Sequence, residues 1–140
     1  MSAHRDKAET FAAWLMTQAM WPLLLVLAAL VAAPFIAVAA QPQATLAAAW
    51  LIAAASAAAT LAYSALLVFD ALLFRLMASH ASEAAAGAAV DEVLARMRLK
   101  PPSAGGRSLD RRMAGAHRLL AKQRIAIGLF VAASLVAAFI

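Results

Sequence analysis

Three apolar stretches dominate the chain. Residues 22–40 form a nearly unbroken apolar run, residues 44–74 form a longer one whose only charge is Asp70, and residues 125–140 form an uncharged third. An α-helix needs about 20 apolar residues to cross the ~30 Å hydrocarbon core of a bilayer. The first run meets that length. The second exceeds it and must tilt or extend past the lipid. The third is slightly short, and Lys122 and Arg124 can snorkel at its start. The pattern predicts an all-α membrane protein with three transmembrane helices.

Ahead of the first run, residues 10–20 (TFAAWLMTQAM) suit an interfacial helix, with Trp14 and Trp21 at headgroup depth. Residues 1–21 thus form a lead-in to a helical hairpin over 22–78. Pro22 is expected in the first turn of the span, where its missing N–H costs nothing. Pro34 is expected to kink that span. Gln41-Pro42-Gln43 is an uncharged turn, short enough to force the first two spans antiparallel. Trp50 marks the outer interface. The mixed charges Arg5, Asp6, Lys7 and Glu9 do not suit a secretory leader.

Residues 79–107 are polar. Ser82 is the expected N-cap of a helix over 82–99, with Glu83 in its first turn. Val90, Val93, Leu94 and Met97 share one helical face, a candidate docking surface. Glu92 and Arg96 form an i,i+4 pair. Residues 100–106 (KPPSAGG) follow as a linker. Residues 108–140 form one element. Ser108 caps it, Asp110 lies in its first turn, and a basic juxtamembrane stretch continues without a breaker into the third span.

Charge then orients the chain. Residues 75–124 hold ten Lys/Arg against four Asp/Glu, and the turn at 41–43 holds none. The positive-inside rule places the N-terminus and the segment between spans two and three in the cytoplasm, with the chain end outside. The net charge of +5 fits basic loops held against anionic headgroups rather than nucleic acid. Arg111, Arg118 and Lys122 share a face beside the membrane entry point and are the candidate headgroup ligands. The expected location is the bacterial inner membrane.

Chemistry is sparse. There is no cysteine, which excludes disulfides, thiolate metal sites and cysteine catalysis. His80 and His117 lie in separate helices outside the membrane, and no nucleophile elbow, HExxH or phosphate loop is present. No catalytic residue, cofactor or metal is therefore expected. An acid in an apolar run is costly and is a functional candidate by default. Counting from Thr45, however, the inner membrane edge falls near Ser64, so Asp70 belongs at the interface. There it can pair with Lys122 or Arg124. Ser56, Thr60 and Ser64 form an i,i+4,i+8 stripe, and Gly128 and Ala132 a similar one with Val136 next. Small residues at that spacing let helices pack closely, within the chain or against a partner. With alanine so abundant, a single small position carries little information.

Three spans with a cytoplasmic helix before the last resemble the layout of bacterial diacylglycerol kinases and of a small protein-translocon subunit. The residues those families need are missing. The chain has no Asn and no Glu between Thr10 and Ser82, and no Trp follows Pro101-Pro102. The expected function is a non-enzymatic accessory or assembly subunit of a larger membrane complex. The alternatives are a holin-like self-associating pore, and a small ion or proton carrier using Asp70.

Overall fold

The computed structural model describes residues 3–37, 44–98 and 108–139. The turn at 41–43, the linker at 100–106 and the side chains of Pro34 and Glu83 lie outside the described residues. Four helices make up almost all of the described chain, and it contains no strand. They are α1 (Ala3–Ala37), α2 (Ala44–Ala78), α3 (Glu83–Arg96) and α4 (Leu109–Phe139). Helices α1, α2 and α4 are each long and apolar enough to cross a membrane.

Helix α1 departs from the expected break before Pro22. The lead-in and the apolar run form one helix, so Pro22 is mid-helix and fully buried rather than in a first turn. A proline there leaves the carbonyl four residues earlier, that of Gln18, without its intrahelical donor. Transmembrane helices tolerate such positions where neighbouring groups re-satisfy the freed carbonyl. Ser82 caps α3 as expected, its hydroxyl accepting from Ala85 N–H at 3.3 Å. Arg96 pairs with Glu92 at 2.6 Å. Arg98 then takes a left-handed φ of 56°, a conformation that glycine usually supplies after a helix. The carbonyl of Ser108 accepts from Arg112 N–H at 3.2 Å, which marks Ser108 as the N-cap position of α4.

The chain divides into two compact units. Met1–Thr17 with Leu67–Arg118 forms the first, and Gln18–Leu66 with Leu119–Ile140 the second. All 7 acidic residues, and every Lys and Arg of the 12 except Lys122 and Arg124, belong to the first unit. Asp70 falls with the charged unit, not the apolar one.

The charged unit is held by rings and ion pairs. Phe11 stacks edge-on against Phe74 (centroids 4.9 Å) and His117 (5.3 Å), and Trp14 lies 5.4 Å from His117. Asp91 of α3 pairs with Arg112 of α4 at 2.7 Å, both side chains largely buried. Lys7 pairs with Asp110 at the surface.

The apolar unit takes roughly 20 residues from each long helix, about 30 Å at 1.5 Å per residue and close to the hydrocarbon thickness. Its contacts fix an antiparallel α2/α4 register. Ser64 meets Gln123, Ala53 and Ala57 gather with Phe130 and Ala133, and Leu46 and Ala49 with Ala137. Positions descend along α2 as they rise along α4. Val26 and Ala29 of α1 join the middle layer.

Candidate functional site

The apolar unit is inside-out relative to a soluble protein. Its surface carries Leu24, Leu30, Val31, Leu51, Ile125 and Leu135, while its interior holds Ser56, Thr60, Ser64 and Gln123. An apolar surface this extensive needs lipid or partners to cover it. The polar groups inside it are where specific chemistry can reside.

Ser56, Thr60 and Ser64 all lie on the buried face of α2, which runs Leu46, Ala49, Ala53, Ala57, Thr60, Ser64. Thr60 Oγ1 donates to the Ser56 carbonyl at 2.8 Å, bonding back into its own helix. Ser64 Oγ accepts from Gln123 Nε2 at 2.8 Å, the one side-chain hydrogen bond joining α2 and α4 among the described residues of this unit. Gln123 is fully buried and its Oε1 has no hydrogen-bond partner. Rotating the amide would let Ser64 donate to the oxygen but would strand the NH₂ instead, so either orientation leaves one end unpaired. Gln123 is the residue that sequence reasoning missed. It sits between two exposed charges, Lys122 and Arg124. The signal was nonetheless there, because Leu120, Gln123, Ile127 and Phe130 make a helical stripe with Gln123 inside it.

This pair acts as a register pin. A one-turn slip of α2 against α4 would leave the Gln123 amide dry and unpaired. Because unmade buried hydrogen bonds cost more than made ones gain, the two partners should respond unequally to substitution. Ser64→Ala leaves the whole Gln123 amide unpaired and should cost about 1 kcal/mol. Gln123→Leu removes the orphaned oxygen while Ser64 bonds back to the carbonyl four residues earlier, so stability should hold or rise. SDS titration in detergent micelles measures both, and a larger loss for Gln123→Leu than for Ser64→Ala would contradict the assignment.

The other expected sites redistribute. Asp70 is half-buried, and within its own unit the cation whose field reaches it is Arg112. The expected partners Lys122 and Arg124 belong to the other unit, where Arg124 donates to Gln18 Oε1 at 3.5 Å. Val90 is fully buried and Val93 and Leu94 are partly so, leaving Met97 open. The α3 face thus takes part in the chain's own packing through Val90 and stays open at Met97. Arg111, Arg118 and Lys122 are exposed.

Gly128 and Ala132 are exposed, and a Cβ at Gly128 would meet nothing within 4 Å. They line a groove of ≈ 640 Å³ with Gln18, Trp21, Arg124 and Leu135. In contrast to the buried Ser56, Thr60 and Ser64, this pair faces outward into the groove. Among the described residues no cluster of three His, Asp or Glu could hold a metal. No protein-family model matches the chain, and no characterised protein or solved structure is detectably similar to it.

Proposed function

We propose that this chain is a non-enzymatic accessory or assembly subunit of a larger complex in the bacterial inner membrane. In this reading three spans cross the bilayer with the N-terminus inside and the chain end outside. The positive-inside rule supports that orientation, since the basic residues cluster in the segment between spans two and three. Exposed Arg111, Arg118 and Lys122 then face anionic headgroups.

One observation carries the assembly role. The outward face of α2 beyond the exposed Leu51 is alanine: Ala54, Ala58, Ala62 and Ala65 are all exposed along one stripe. The outward face of α1 is instead built of Leu24, Leu27, Leu30 and Val31, which suit lipid. A flat alanine face lets a second backbone approach closely, which is how helices associate where hydrophobic burial offers no contrast. The contact surface for a partner is therefore this face, opposite the Ser56/Thr60/Ser64 stripe. A pore is less well supported, because that stripe is consumed inside the unit. A carrier is less well supported too, because Asp70 groups with the charged unit.

Affinity purification from native membranes through an N-terminal tag in mild detergent tests the proposal. A membrane protein recovered in stoichiometric amount, and lost with Ala58→Phe, is the expected result. A monodisperse monomer with nothing bound would overturn it.

A further inference from the structure

The groove on α4 has two chemically different ends. Arg124 and Gln18 are bonded to each other at one end, and Trp21 follows one turn along α1. Gly128, Ala132 and Leu135 line the remainder. From Arg124 to Leu135 the helix rises about 16 Å, close to half of the ~30 Å hydrocarbon core and hence to one leaflet. The apolar unit contains no acidic residue, so Arg124 has no carboxylate in its own unit. Among the described residues of that unit its one hydrogen bond, to Gln18, is long at 3.5 Å and leaves other guanidinium donors for an outside acceptor.

We propose that this groove is a site for one anionic phospholipid of the bilayer. Its phosphate meets the Arg124 guanidinium, with the Gln18 amide and the Trp21 indole N–H at hand for the ester region. One acyl chain lies over the bare backbone at Gly128 and along Ala132 to Leu135. A phospholipid matches each feature: a planar donor fork that suits phosphate, an indole at interfacial depth, and an apolar trough one leaflet long. The absence of a side chain at Gly128 supplies the trough, since a Cβ there would occupy open space. Lys122 is exposed only two residues away yet does not line the groove. It therefore separates a built site from general attraction of the basic segment for anionic lipid. The site rests on the membrane reading but not on the assembly role.

Native mass spectrometry of the full chain in detergent, with added phosphatidylglycerol or phosphatidylcholine, tests the site. The expected result is one phosphatidylglycerol per chain, bound in preference to phosphatidylcholine. Arg124→Gln should lower that preference about fivefold, Lys122→Gln should lower it far less, and Gly128→Leu should reduce binding of both lipids. Helical circular dichroism confirms that each variant is folded, and either groove variant decides the matter if the other is not. Equal losses for Arg124→Gln and Lys122→Gln would reduce the effect to a diffuse field and overturn the proposal. So would undiminished binding in Gly128→Leu, or a lipid-free dimer that Gly128→Leu dissociates, which would assign the groove to a second copy.

Discussion

Arg112→Met is expected to destabilise the charged unit by roughly 2–3 kcal/mol, at or just below the range for breaking a fully buried ion pair. Its guanidinium lies 2.7 Å from Asp91, with the two side chains only 12% and 25% exposed. Methionine keeps most of the bulk, so the loss reports charge rather than volume. The substitution deprives Asp91 of that cation and removes the field that reaches Asp70. Replacing both partners by apolar residues, Arg112→Met with Asp91→Met, should recover much of the loss, because neither side chain then carries a charge to desolvate. Lys7→Met is the control. Its pair with Asp110 has the same 2.7 Å length, but the side chains are 53% and 78% exposed. Water already solvates both groups, and the effect should stay under about 0.5 kcal/mol. SDS titration of the three variants gives the comparison. A loss at Arg112 no larger than at Lys7 would show that this pair does not anchor α3 to α4.

Two neighbouring alanines should behave oppositely. Ala57→Phe is expected to cost about 3 kcal/mol or to prevent folding, and Ala58→Phe to leave stability within about 0.5 kcal/mol. Ala57 is buried in the layer with Val26, Ala53, Phe130 and Ala133, where α2 faces α4 across alanine. A phenyl ring there has no space unless the helices separate, and close helix contact is the main force holding a unit in lipid. Ala58 is exposed on the outward face. A ring there meets lipid in the isolated chain, yet it would obstruct a partner helix. Yield of folded protein and SDS resistance read the first effect, and partner recovery reads the second. Similar destabilisation by both substitutions would show that the inward face of α2 is wrongly assigned.

Which of two adjacent alanines faces inward was not legible in the chain. Helical class, three membrane-length apolar helices and the polar segment between the second and third were legible, because each is set locally. A run of 20 apolar residues satisfies its own backbone hydrogen bonds as a helix wherever it lies. Ser82 as a cap and the Glu92–Arg96 pair are likewise set by neighbours within one turn. The continuity of α1 through Pro22 was not, because a proline rule calibrated in water underestimates what a packed apolar helix tolerates.

The candidate sites depended on the tertiary structure for a different reason. In a water-soluble helix, hydrophobic periodicity reveals the inward face because water and core differ. Inside lipid both surroundings are apolar, and the periodicity loses its contrast. The stripe Ser56, Thr60, Ser64 and the stripe Gly128, Ala132 looked equivalent, yet one packs inward and the other lines an open groove. Gln123, buried between two exposed charges, was revealed by its contact with Ser64. Val90 turned inward and Asp70 came under the field of Arg112 through packing of α3 and α4 in the charged unit. The sequence by itself determined the helices, their lengths and the placing of charge, which depend on residues close in the chain. Only the tertiary structure decided which faces meet, because that choice rests on side-chain shape between helices far apart in sequence.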